Sequence, residues 1–378
     1  MHSQHFFINA RKDRLTRCLF KNYTTAAIYL LIWILLYHLL AWQQGVLFGI
    51  SLPQQYIGKG IETESLLKFD VKGGFMWYFV LIFCFFSIVN LLNKVPSIFS
   101  KVLKGHIGDE KEHNTLVKNW NVFSKNFEAS LNSRLAYLVG LIVSLILSAS
   151  LILPYFQVWG QDLSTASCIY WTDPRVSSFF IYNTIFLSVN YFLAGVMLWK
   201  VLIIAWYMNH TPSKLNLKLH PFHPDKKGGI APFLSLAHAL NLCVIAGGSY
   251  GLVYLLLMGG FSKPFIIFGT IYLVIGSFLF IYPLFGVHSV MEMEKRRILN
   301  KIDSELELLS DKMESFFTKG EKISDKYRSK WIKLETTYKI VHDTAILPLN
   351  SKTIIRFIAT FVIPSAFVIL QILLEKIL

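Results

Sequence analysis

Stretches of about twenty residues that are almost free of charge recur along this chain, and each is long enough to cross the roughly 30 Å hydrocarbon core of a bilayer as an α-helix. They run from Tyr23 to Trp42, Met76 to Asn93, Leu135 to Phe156, Phe179 to Met208, Ala231 to Gly259, Phe265 to His288 and Ile354 to Leu374. The last is interrupted by Arg356 and Pro364 but keeps the length of a full crossing. The expectation is an all-α, polytopic membrane protein with about seven transmembrane helices.

Composition agrees. Charged residues make up 16% of the 378 positions and hydrophobic ones 54%, with a mean hydropathy of +0.48. Soluble domains carry roughly a quarter charged residues, so a soluble fold, a disordered chain and a collagen-like chain are all excluded. Cys18, Cys84, Cys168 and Cys243 show no Cys-x-x-Cys spacing, which leaves no disulfide framework, redox motif or zinc ribbon. The formal charge of +14 sits largely beside the apolar runs, where anionic headgroups account for it. The lipid bilayer is therefore the expected partner, and nucleic acid is not.

Lys and Arg accumulate in cytoplasmic segments. Arg11, Lys12, Arg14, Arg17 and Lys21 precede the first run, and the segments after the second and fourth runs are also basic. This alternation predicts a cytoplasmic N-terminus in a plasma membrane of bacterial inner-membrane type. The expected division is a basic arm at 1–22, a six-helix bundle at 23–290 with cytoplasmic loops at 94–134 and 209–230, a cytoplasmic helical hairpin at 291–345, and a seventh span at 353–375. In the 94–134 loop, Trp120, Phe123 and Phe127 share one face of a short helix expected on the membrane surface.

The hairpin is read from spacing. Ile298, Ile302, Leu306, Leu309, Met313 and Phe316 form one helical stripe, and Ile323, Tyr327, Trp331, Leu334, Tyr338 and Val341 form a second with the same intervals. Two such stripes around a Thr318-Lys319-Gly320 break predict an antiparallel, coiled-coil-like pair. It is expected to pack on itself, to join subunits of a homo-oligomer, or to dock a cytoplasmic protein.

The least generic loop is His220-Pro221-Phe222-His223-Pro224-Asp225-Lys226-Lys227-Gly228-Gly229-Ile230. It resembles a His-Pro-Asp-Lys-x-Gly-Gly-hydrophobic segment of bacterial multi-span proteins, a likeness confined to this loop that implies no activity. Read from its residues, it is a rigid turn, or an anion cradle made by Lys226, Lys227 and the amides of Gly228 and Gly229. A third reading is a divalent metal site at His220, His223 and Asp225, whose imidazole and carboxylate ligands suit such an ion. No other cofactor is expected.

Inside the apolar runs there is no central carboxylate, which disfavours an ion-coupled carrier. Lys200 and Arg356 are the cationic exceptions, either snorkelling to headgroups or lining an anion path. Asn183 and Asn190 share a helix face, as do His238 and Asn241; these are either packing contacts or the lining of a wet route. Ser144 with Ser148, and Gly247 with Gly251, are small-residue pairs that predict close helix approach. No hydrolase elbow, zinc-protease or phosphate-loop motif occurs, so catalysis is not expected. The leading expectation is an oligomeric channel or pore, possibly anion-preferring. Its rivals are a transporter, a non-conducting signalling or scaffold protein, and a metal-dependent membrane enzyme.

Overall fold

The computed structural model describes residues 8–52, 54–56, 59, 61–71, 75–105, 110–158, 161–162, 168–215, 231–259, 263–318 and 325–343, with residues 355, 358–359, 362–363, 366, 369–370 and 373. Helix α1 (Arg14–Leu19) is capped by Asp13, whose carboxylate accepts the Thr16 N–H. Helix α2 (Tyr23–Gln43) opens on a capping box between Asn22 and Thr25, so the polar pair that ends the basic arm also satisfies the first helical amides. It stops at Gly45, whose φ of 73° places it in the left-handed region, while the Val46 N–H turns back to the Ala41 carbonyl.

A short parallel pair, β1 (Glu62–Glu64) with β2 (Cys168–Tyr170), ties the two loops at that end of the molecule, Glu62 facing Cys168. Between them in the chain lie α3 (Leu66–Phe69), α4 (Phe75–Gly105), α5 (Glu110–Leu131) and α6 (Leu135–Val158). Beyond β2 come α7 (Phe179–Lys214), α8 (Ala231–Gly259), α9 (Lys263–Thr318) and α10 (Asp325–Asp343). The all-α architecture is as expected, and the two short strands are an addition that three-residue segments give no periodicity to announce.

The outward faces identify the solvent. On α2 the residues Leu31, Ile32, Leu35 and Leu39 are all exposed, and on α6 Leu138, Leu141, Leu145 and Ile146 are too. Water does not tolerate a continuous aliphatic surface of this kind, whereas lipid does. Against them, the inner faces pack by small residues. A side chain at Gly140 would meet Phe192 O at 2.8 Å, and one at Gly195 would meet Gly140 Cα at 2.7 Å, so α6 and α7 touch backbone to backbone. Ser144 donates to Ser188 O at 2.8 Å, and Ser148 and Ser188 share a bond of 2.6 Å, as the small-residue spacing predicted.

Five stretches among the described residues are long and apolar enough to span a membrane: Tyr23–Gln43, Tyr78–Lys101, Asn114–Ala149, Phe179–Lys214 and Pro232–Val253. The expected sixth and seventh spans are not among them. The seventh is described only at isolated positions, among which Ile355, Ile358, Val362 and Ile369 are exposed.

Two boundaries differ from expectation. Segment 94–134 is not a surface-lying loop: α4 continues through Pro96, and Trp120, Phe123 and Phe127 of α5 are buried. Their rings meet Phe99 and Tyr207, with Phe127 stacked on Tyr207 at 4.5 Å, and Phe99 in turn meets Phe233. Aromatic burial outweighs the one backbone hydrogen bond that Pro96 removes, so the amphipathic face turns to protein instead of lipid. The bundle also has no break at residues 290–291. The expected sixth span and the first cytoplasmic stripe form a single 56-residue helix that runs through Pro283; its polar residues change only the surface, and the proline removes one backbone hydrogen bond.

Helix α10 lies against the far part of α9. Lys330 pairs with Glu305 at 3.4 Å, Phe316 meets Tyr327 with ring centroids 5.6 Å apart, and Lys295 donates to the His342 carbonyl. Ile302, Leu309 and Val341 of the expected stripes are buried.

Candidate functional site

The feature that stands out in the bundle is a cavity of about 380 Å³ between α4, α7, α8 and α9. Its wall is largely apolar, Asn190 of α7 and the tyrosines Tyr191, Tyr250 and Tyr272 being its residues with an oxygen or nitrogen on the side chain. Phe20, at the end of the N-terminal arm, and Phe85 of α4 also line it, their rings stacked at 5.2 Å. Cys84 and Cys243 face it from α4 and α8, both as free thiols. Leu198 and Gly247, which also line it, are exposed at the surface of the bundle, so the cavity opens sideways.

Two adjacent glycines of α8 shape this space differently. A Cβ on Gly248 would lie 2.1 Å from the Tyr272 ring, so glycine here lets α9 lay its tyrosine flat against the α8 backbone. A Cβ on Gly247 would meet nothing within 4 Å among the described residues. The close approach predicted at Gly247 is therefore made by its neighbour, and Gly247 itself leaves room.

Asn190 is 6% exposed. Its Nδ2 donates to the Phe186 carbonyl at 2.8 Å, which fixes the amide orientation because a carbonyl only accepts. Its Oδ1 has no hydrogen-bond partner among the described residues.

A second polar centre lies beside the arm. Lys200, 1% exposed, sends its ammonium to Asp13 Oδ2 at 2.8 Å, Leu131 O at 3.2 Å, Asn132 Oδ1 at 3.2 Å and Ala10 O at 3.4 Å. Asp13 also receives the Tyr137 hydroxyl at 3.2 Å. Burial opposes ionisation of Asp13, but the hydrogen bonds from Lys200 and Thr16 and the lysine charge together hold it below the usual carboxylate range. Arg11 extends the seam to Asn93 Oδ1 at 2.8 Å, and the Asn9 N–H bonds Glu128 at 2.7 Å. The arm is thus stitched to α4, α5, α6 and α7. Lys200 neither snorkels to headgroups nor stands as an open cation; protein acceptors surround it.

The other expected residues are placed as follows. Asn183 accepts the Tyr37 hydroxyl at 2.7 Å, a buried link between α2 and α7. On α8, Asn241 is buried and His238 half-buried, and both have partners in the structure. Arg356 and the whole loop holding His220, His223, Asp225, Lys226, Lys227, Gly228 and Gly229 lie outside the described residues. Among the described residues no group of three potential metal ligands converges.

Sequence reasoning missed the pair at the opposite end of α2. His38 Nδ1 bonds the Ile34 carbonyl at 2.8 Å, and Nε2 lies 2.9 Å from Oδ2 of the fully buried Asp70. With Nδ1 facing a carbonyl, that nitrogen must carry its hydrogen, so a further proton is shared between Nε2 and Asp70. The signal available in the sequence was a histidine inside the first apolar run.

Lipid-facing aliphatic surfaces over helices of membrane-spanning length define a helical membrane protein. Comparison with family models, curated proteins and solved structures gives no match for this chain.

Proposed function

We propose that this is a non-conducting membrane signalling protein, whose bundle passes a change of state through α9 to the α9–α10 pair, and that this pair presents it to a cytoplasmic protein. The observation that carries the reading is the continuity of α9. Tyr272, Gly276 and Leu279 line the cavity, and the same unbroken helix continues to Thr318, a total length of about 84 Å at 1.5 Å per residue. In this reading the basic arm and the α9–α10 pair face the cytoplasm of a bacterial cell, and the sixth and seventh apolar runs complete the crossings. The three contacts between α9 and α10 support an antiparallel hairpin, since residue numbers fall on α10 as they rise on α9. The pore reading loses one of its two cations as support, because the charge of Lys200 is met inside the protein.

The geometry defines a lever. At Gly286 a Cβ would lie 1.6 Å from Asn209 O, so α9 meets the α7 backbone there, and this contact is taken as the pivot. Tyr272 is about 21 Å before it and Ser315 about 44 Å beyond it, so motion at the cavity is roughly doubled near the tip. Gly248→Ala requires the Tyr272 ring to move by about 1.3 Å to reach ordinary contact distance; ring rotation takes up part of this, and what α9 takes up as a rigid body is roughly doubled, to at most about 3 Å at Ser315. Spin labels at Asn121→Cys and Ser315→Cys, with the four native cysteines changed to Ala, read this distance in lipid nanodiscs. An unchanged distance distribution in a folded Gly248→Ala protein refutes the coupling. Current through planar bilayers refutes the non-conducting part.

A further inference from the structure

We infer that the cavity between α4, α7, α8 and α9 is a binding site for a single-chain, membrane-resident apolar molecule carrying one hydrogen-bond donor, and that Asn190 reads that donor. Four observations converge. The space is too apolar to hold water in an ordered network, which requires several polar partners per molecule. Its volume of about 380 Å³ equals that of roughly a dozen waters, and a hydrocarbon chain with a similar number of heavy atoms fills it. Leu198 and Gly247 open it towards the lipid-facing surface, the side from which a membrane-dissolved molecule arrives. The amide of Asn190, a residue of the wall, is pinned through Nδ2 and keeps a buried Oδ1 without a partner among the described residues. An unmet acceptor in an apolar setting is costly, and a hydroxyl donor on the ligand removes that cost. Cys84 and Cys243 offer soft, polarizable surface to the chain and no competing charge.

This site stands whether or not α9 transmits a signal, because it concerns binding alone. The test uses the full chain in lipid nanodiscs with two photoactivatable probes, a diazirine-bearing hexadecanol and its methyl ether, which has the same chain but no donor. Labelled peptides from the wild type are expected to concentrate around Cys84, Cys243 and Tyr272, with the alcohol favoured roughly fivefold over the ether. Asn190→Leu is expected to retain labelling and bring that ratio close to one. Gly247→Phe places a ring in the cavity and is expected to lower labelling by both probes about tenfold; Gly247→Leu serves where the larger residue prevents a monodisperse protein. Labels spread evenly over the outward faces of α2 and α6, Gly247 variants labelled like the wild type, or an alcohol-to-ether ratio unmoved by Asn190→Leu would each overturn the assignment.

Discussion

Replacing Asp13 by Asn removes the anion paired with Lys200 and leaves an ammonium 1% exposed among Leu131 O, Asn132 Oδ1 and Ala10 O. Breaking one side of a buried pair costs about 3–5 kcal/mol, because the remaining charge keeps its desolvation penalty and loses its compensation. The three neutral acceptors soften that loss, so the lower end, about 3 kcal/mol, is expected. At 1.4 kcal/mol per factor of ten, docking of the arm weakens by more than about a hundredfold. The assay is equilibrium unfolding in mixed detergent micelles, followed by tryptophan fluorescence, with trypsin cleavage after Arg11, Lys12, Arg14 and Arg17 reporting release of the arm. Lys200→Met removes the partner instead, and the double variant closes the cycle with a coupling of up to about 3 kcal/mol. If Asp13→Asn is as stable as the parent within about 0.5 kcal/mol, and its arm is no more cleavable, the cluster does not hold the arm.

Because Asp13 titrates below the usual carboxylate range, its stabilising contribution is complete above an unfolded value near 3.9 and is lost as pH falls through the lower folded value. Tryptic release of the arm, measured after brief acid exposure, should therefore rise only in that acidic window, and a rise near neutrality would contradict it. Gly195→Val drives a side chain into the backbone of α6 and should cost roughly 1–3 kcal/mol in the same unfolding assay; no loss would place the α6–α7 contact elsewhere. Tyr37→Phe leaves Asn183 Oδ1 without its donor, and a loss of about 0.6–1.7 kcal/mol is expected from helix-to-helix bonds of this kind. By contrast Glu305→Gln breaks an exposed pair with Lys330 and should shift stability by less than about 1 kcal/mol; a larger effect would mean that this contact holds α10 in place.

Periodicity made much of this fold readable before any coordinates. The run from Ala231 to Gly259 coincides with α8, and the run that opens at Tyr23 begins where α2 does. The stripes on either side of Thr318 place Ile302, Leu309 and Val341 where burial is found. What stayed hidden depended on distance along the chain. Nothing near Lys200 announces Asp13, 187 positions earlier. Phe20 reads as the end of a basic arm until it meets Phe85. The α5 aromatics have the spacing of a membrane-surface helix and of a buried face alike, and only the presence of Phe99 and Tyr207 decides between them. Composition likewise cannot reveal an empty volume, since Gly247 and Gly248 look equivalent as letters and differ only in what stands opposite.

The stitching of the arm also imposes a timetable on biogenesis. A ribosome adding about 5–20 residues per second needs roughly 10–40 s to travel from Asp13 to Lys200. Throughout that interval the carboxylate waits in water, and the first greasy helix has already entered the translocon without its eventual fastening. Seating of the arm is consequently a late event, an act of closure after several hairpins are threaded. Quality-control proteases that sample nascent chains would meet this segment as loose backbone on unfinished molecules and as a folded, fastened one on finished molecules.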